Sequence, residues 1–181
     1  QTDGKILLGG EFKLYNGSFT NGLVRTHPAG NIDDSFNAGT GLEYNFSNQD
    51  DPDSESSIQP DGKIWIWGDC SADNGSPAKG ILRLNPDGSR DMSFGSGSGF
   101  DSTIGLSTAL QPDGKILVGG DFTSYNGQPV QGFIRLNPDG TLDSSFDIGT
   151  GFDIPLRHLI FLPNGQILSG GGFTSYNGSP V

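Results

Sequence analysis

The sequence predicts an all-β fold of the β-propeller type, built from four-stranded antiparallel blades, and three observations point that way. Residues 111–151, QPDGKILVGGDFTSYNGQPVQGFIRLNPDGTLDSSFDIGTG, recur with variations along most of the chain. The mark Gln-x-Asp-Gly-Lys begins at Gln1, Gln59 and Gln111, and a worn copy begins at Leu162, giving steps of 58, 52 and 51 residues, or about 3.5 repeats of roughly 52 residues. A fixed period of that size marks repeat architecture. Each unit also sets short apolar runs on either side of Pro-Asp-Gly, where Pro presets φ and Gly takes the positive φ of a tight turn. No stretch shows the 3.6-residue spacing of a helix.

In chain order, residues 1–41 read as a partial blade holding strands two to four. Lys5-Ile6-Leu7-Leu8 is its second strand, Tyr15-Asn16-Gly17 a loop, Leu23-Val24-Arg25 its third strand, and His27-Pro28-Ala29-Gly30 replaces the usual Asn-Pro-Asp-Gly. His27 is read as a turn substitution. Residues 42–99 form a blade with an acidic insertion. The stretch 42–58 is about six residues longer than its counterpart 100–110 and carries Asp50, Asp51, Asp53 and Glu55 in place of alternating Ile104, Leu106 and Leu110. We read it as a solvated loop with Tyr44 and Phe46 supplying the apolar face; a first strand at a water-facing sheet edge is the alternative. The next strand places Trp65 and Trp67 in register with Leu117 and Gly119, and Cys70 in the packing slot of Phe12, Phe122 and Phe173.

Residues 100–151 are the cleanest copy, where alternating Ile104, Leu106, Thr108 and Leu110 predict a strand with one buried face. Residues 152–181 form a partial blade of strands one and two, with Ile154, Leu156, His158, Ile160 and Leu162 in the same alternation. That register puts His158 beside the apolar side chains, satisfied by a backbone carbonyl. The four segments together make one fragment of a repeat domain. Closed propellers have about four to eight blades, so the fragment is expected to be incomplete or part of a larger propeller, with an open stack of sheets as the structural alternative.

Composition narrows the partners. A net charge of −11 opposes binding to nucleic acid or anionic lipid, where cationic side chains supply the attraction. No apolar run approaches the roughly 18 residues of a membrane helix. Cys70 is the single cysteine, so no internal disulfide forms. Leu, Ile, Val and Phe make up about a quarter of the chain, above the rough 20% floor for a folded core.

The sequence offers little to a catalyst. A hydrolase needs a nucleophile, a base and a group to orient the base, whereas the two histidines stand at non-equivalent places in the repeat. Zinc-ligand spacing and nucleotide-loop context are missing too, and no cofactor is expected. Asp51, Asp53 and Glu55 offer oxygens of the kind Ca²⁺ takes, without the glycine and spacing of an EF-hand loop. Arg25, Arg83 and Arg135 each precede an aspartate, Asp33, Asp91 and Asp143, by eight residues across a turn, a spacing that predicts three structural ion pairs. Asn16, Asn74 and Asn177 begin Asn-Gly-Ser triplets that match glycan acceptors by composition alone.

Units reading DGKILVGGDF, YNG, IRLNPDG, LDSSF and GTG resemble the delta-60 repeat family, β-propeller-like repeats found mostly in large bacterial secreted or cell-surface proteins. The resemblance implies a non-catalytic scaffold or adhesive segment located outside the cell. Because the repeats are too few to close a ring, the expected partners are other segments of the same longer polypeptide or further copies. A glycan-binding module using Trp67, Tyr15, Tyr125 and Tyr176 is the alternative, able to take a surface glycan or protein. A second alternative is part of an enzyme propeller whose site lies elsewhere.

Overall fold

The computed structural model describes residues 1–181 except 11, 21, 45–54, 69, 79 and 96. The chain divides into two compact units, Gln1–Met92 and Ser93–Val181. The first contains β1 (Ile6–Gly9), β2 (Leu14–Tyr15), β3 (Ser18–Phe19), β4 (Leu23–Thr26), β5 (Leu42–Tyr44), β6 (Glu55–Ile58), β7 (Ile64–Trp67), β8 (Cys70–Asp73), β9 (Ser76–Pro77) and β10 (Ile81–Leu84). The second contains β11 (Ser107–Leu110), β12 (Ile116–Gly119), β13 (Ser124–Tyr125), β14 (Gln128–Pro129), β15 (Phe133–Leu136), β16 (Leu156–Phe161), β17 (Ile167–Gly171), β18 (Ser175–Tyr176) and β19 (Ser179–Pro180). Among the described residues every regular element is a strand, and every strand pairing is antiparallel.

Turn chemistry sets the strand boundaries. In Gln-x-Asp-Gly-Lys the glycine sits at φ +81° to +84°, and the aspartate side chain accepts from the lysine N–H two residues on, as Asp61 does from Lys63 at 3.0 Å. In Tyr-Asn-Gly both central residues have positive φ, Asn126 at 51° and Gly127 at 75°. That combination matches the right-handed twist of a two-residue hairpin, so the segment read as a loop is instead a narrow ribbon: β2–β3, β8–β9, β13–β14 and β18–β19.

The main sheets are β6–β7–β10 and β11–β12–β15, each with the middle strand second in its repeat, and the two-stranded β1–β4 and β16–β17. Among the described residues a fourth strand survives only as the single bridges Thr26 with Ile32, Leu84 with Arg90, and Leu136 with Leu142. The reason is local. The carboxylates of Asp33 and Asp143 each accept from the N–H two residues later, Ser35 at 3.1 Å and Ser145 at 3.0 Å. That side-chain turn competes with ladder formation and bends the chain away after one bridge.

Glu55–Ile58 is a strand paired with β7, Glu55 opposite Trp67. The water-facing edge strand therefore replaces the loop reading over these residues, and Leu42–Tyr44 belongs to a separate sheet with β8 and β9. Each unit has its own core. In the first, Leu23 from β4 packs with Ile64 and Ile66 from β7 and Leu82 and Leu84 from β10. Trp65 and Trp67 alternate to the opposite face of β7 and are buried as well. In the second, Ala109, Leu117 and Phe133 meet Leu156 and Leu159. Gly119 leaves the space that Leu156 fills; a Cβ there would collide with the leucine side chain.

Two strand registers differ from expectation. In β11 the residues turned toward β16 are Ser107, whose hydroxyl accepts from Leu159 N–H at 3.0 Å, and Ala109, not Thr108 and Leu110. Both faces of this sheet are covered, since Leu117 and Val118 are alike fully buried, and alternation cannot choose between two covered faces. In β16 a bulge lies between Leu156 and His158. It flips every later side chain, so Leu159 is buried, Ile160 is exposed, and His158 faces solvent instead of joining the apolar residues.

Candidate functional site

The residues that recur at fixed spacing converge. Asp33 Oδ2 accepts from Arg25 Nε at 2.7 Å and from Lys5 Nζ at 2.9 Å. Asp91 Oδ2 accepts from Arg83 Nε at 2.6 Å and from Lys63 Nζ at 2.9 Å. Asp143 Oδ2 accepts from Arg135 Nε at 2.7 Å and from Lys115 Nζ at 2.9 Å. The lysine precedes the second strand, the arginine sits in the third, and the aspartate follows the turn, so each cluster clamps three segments of one repeat. The sequence signal for the lysines was present in the Gln-x-Asp-Gly-Lys mark, yet the pairing with aspartate was not read from it.

The clamps are covered and strongly polarised. Asp33, Asp91 and Asp143 are buried. The Ser35 hydroxyl, followed by Lys5 and Arg25, holds Asp33 well below the usual carboxylate range, against the opposing effect of desolvation; Ser145, then Lys115, does the same for Asp143. The Arg25 and Arg135 guanidiniums lie 4.8 and 4.7 Å from the ring centres of Phe36 and Phe146, within cation–π range. The Arg83 guanidinium lies 5.2 Å from the ring centre of Trp65. Charges paired on both sides and stacked on a ring are held in place.

The second repeat departs from this regularity at one buried acid. Tyr15 and Tyr125 donate their hydroxyls to the carbonyls of Gly30 and Gly140, at 2.8 and 2.7 Å. In the corresponding hairpin position stands Asp73, 1% exposed. Its Oδ1 accepts from Asn74 Nδ2 at 3.1 Å, while Oδ2 is buried without a hydrogen-bond partner among the described residues. Burial raises its pKa, opposed by the nearby charge of Arg90. Sequence reading passed over this residue, although the replacement of Tyr by Asp in an otherwise matching Asn-Gly hairpin was its signal.

The second unit has an open cleft of about 520 Å³ between its hairpin ribbon and the start of β16, lined by Asp121, Pro129, Val130, Phe152 and Pro155 among others. A volume of that order suits a small ligand.

The other residues singled out from sequence fall elsewhere. Trp67 and Tyr125 are buried, whereas the glycan-binding alternative wants an open ring face. Each fills core in place of standing in a groove. Tyr15 and Tyr176 are half-buried, the latter with its ring 4.8 Å from that of Phe152. Cys70 is buried. His27 borders its clamp, with Nε2 3.9 Å from Asp33 Oδ1. Asp51 and Asp53 lie outside the described residues, while Glu55 is exposed on β6. No group of three or more metal-binding side chains occurs among the described residues. Asn74 and Asn177 are exposed, and their side-chain oxygens accept from Thr40 N–H at 2.5 Å and Thr150 N–H at 3.0 Å.

A family model described as "Domain of unknown function (DUF5122) beta-propeller" matches residues 1–36, 59–94 and 111–146, more than half of the chain. Each matched segment runs from the Gln-x-Asp-Gly-Lys mark to the phenylalanine of Asp-x-Ser-Phe, and so spans one complete clamp. No curated protein and no solved structure matches the chain.

Proposed function

Because the chain belongs to the DUF5122 beta-propeller family, we propose that it is a non-catalytic repeat module, a scaffold or adhesive segment of a large secreted or cell-surface bacterial protein. The observation that carries this reading is the threefold Lys–Asp–Arg clamp. Its charged side chains, those a catalyst would use, are committed at equivalent places to joining strands within a repeat, which is the pattern of a building unit. In the same proposal the repeats belong to four-stranded blades of a larger propeller, each clamp fastening one blade.

Protease shaving of intact cells that make the parent protein tests the location. Loss of the repeat epitopes before cell lysis supports the reading, and protection until lysis rejects it.

A glycan-binding role has one observation in its favour, the cleft beside Asp121 and Phe152. Sugars present apolar ring faces to aromatic and proline surfaces and hydroxyls to carboxylates. A glycan array probed with the chain and with Asp121→Ala separates the two readings: binding lost in the variant selects the glycan module, and an empty array selects the scaffold.

A further inference from the structure

One host-and-guest contact occurs twice in occupied form, once within each unit. In the first unit, Arg25 Nη1 donates to the Pro86 carbonyl at 2.6 Å and Asn37 N–H to the Asp87 carbonyl at 2.7 Å. Gly88 lies so close to Phe36 and the Asn37 backbone that an added Cβ would stand 3.0 Å from the ring and 2.9 Å from the Asn37 carbonyl carbon. In the second unit, Gly95 N–H donates to the Asp139 carbonyl at 2.8 Å, and Gly140 packs on the ring of Phe94, leaving 2.6 Å for a Cβ. Both times the guest is a Pro-Asp-Gly turn. The host is the phenylalanine of Asp-x-Ser-Phe and the N–H that follows it.

A third host is open. Arg135, Phe146 and Asp147 hold the equivalent places, and beside them is a cavity of about 280 Å³ lined by these residues together with Phe133, Leu142 and Asp143. Arg135 uses Nε for Asp143 and Nη2 for Ser145; its Nη1 and the Asp147 N–H have no acceptor among the described residues. The Arg135 side chain is accordingly 20% exposed, against 7% for Arg25. Alongside, among the described residues, β17 is paired only with β16, whereas its counterparts β7 and β12 are paired on both edges.

We propose that this cavity and the free edge of β17 are a docking site for a strand-and-turn segment of a further repeat, an apolar strand carrying arginine and ending in Asn-Pro-Asp-Gly. The occupied copies specify the guest: the first supplies a proline carbonyl for the guanidinium, and both supply an aspartate carbonyl for the N–H and a glycine where a side chain would strike the ring. A second copy of this chain is a poor donor, since its own strands β4, β10 and β15 are already paired, the turns at 86–88 and 138–140 are seated, and the remaining turn, His27-Pro28-Ala29-Gly30, lacks the Asn-Pro-Asp-Gly sequence. The inference stands whether or not the module is catalytic.

The test titrates the full chain with a synthetic peptide, Gly80 to Ser89 (GILRLNPDGS), by isothermal calorimetry. Expected is saturable binding at one peptide per chain, in the micromolar to millimolar range because a free peptide loses conformational freedom on binding. Replacing the peptide's glycine at position 88 by alanine is expected to weaken it at least tenfold, and Arg135→Lys in the chain to weaken it several-fold. Absence of saturable binding, or equal binding of a scrambled peptide, overturns the proposal. So does a concentration-dependent dimer of the chain alone that the peptide displaces, since the site would then belong to a second copy. Because the substituted peptides cannot affect folding of the chain, their result stands even if Arg135→Lys unfolds.

Discussion

Tyr125 donates its hydroxyl to the carbonyl of Gly140 at 2.7 Å, fastening a hairpin to a turn fifteen residues away, and Asp73 occupies the matching hairpin position of the preceding repeat with one carboxylate oxygen unpartnered among the described residues. The substitution exchanges a neutral donor for an acid that burial drives toward its protonated form. With the folded pKa above the unfolded 3.8, the native state binds the extra proton. Its contribution is therefore complete below pH 3.8 and is lost as pH rises through the folded value. Asp73→Asn should abolish this loss and raise stability at pH 7 by about 1–2 kcal/mol, measured by urea unfolding from pH 4 to 8. An unchanged pH dependence would show that Asp73 is not the group responsible.

The clamp carboxylates act with the opposite sign. Asp33 and Asp143 are held below 3.8, as is Asp153, brought down to about 2 chiefly by the Thr174 hydroxyl. Their contribution is complete above 3.8 and is lost as pH falls through the folded values. Thermal unfolding should show the midpoint dropping steeply below pH 4, with the drop made shallower by Asp153→Asn.

Removing one clamp cation tests the clamp directly. Arg83→Met removes one of the two cations paired with buried Asp91, and breaking a buried pair typically costs about 3–5 kcal/mol. Lys63→Met should cost about 1 kcal/mol or less, because Lys63 is 28% exposed and a partly solvated pair is weak. Urea denaturation curves of the two variants check the order.

Asn126 combines a φ of 51° with an Oδ1 that accepts from Gly99 N–H at 2.9 Å. Alanine loses the hydrogen bond and must strain into left-handed backbone, for about 2–3 kcal/mol in all. Glycine loses only the bond, so Asn126→Gly should recover roughly half of the alanine deficit in Tm. Equal deficits would mean that the backbone conformation is not what selects asparagine.

Gly119→Ala should be among the most damaging small changes in the second unit, because the added carbon meets Leu156. Overpacking of this kind costs about 1–3 kcal/mol or more. The first unit tolerates tryptophan at the matching position, Trp67, so repeat alignment alone would misjudge the variant. Leu156→Ala introduced on top of Gly119→Ala should restore part of the loss, as read by chemical denaturation.

Much of the fold was legible because glycine, proline and asparagine state their backbone conformation locally, and the period multiplies that statement. The Arg–Asp encounters were legible for the same reason, since eight residues spanning a turn fix which positions face each other. What escaped were features set by two covered faces or by a single residue. The ribbons β2–β3 and β13–β14 are only two residues per strand, too short for alternation to register. The bulge before His158 has no local signature, and it decided which residues of β16 are buried. Asp73 was hidden by good agreement of its neighbours with the repeat, so the departure passed as noise.

The bulge in β16 has a wider consequence for chains assembled from tandem copies. One surplus residue is absorbed within a single irregular step, Leu156 and Leu159 keep their burial, and Arg157, His158 and Ile160 are turned outward. A one-residue slip thus recasts the visible side of a copy while its hidden side is conserved, so neighbouring copies can diverge in what they display to the surroundings without losing the ability to stack.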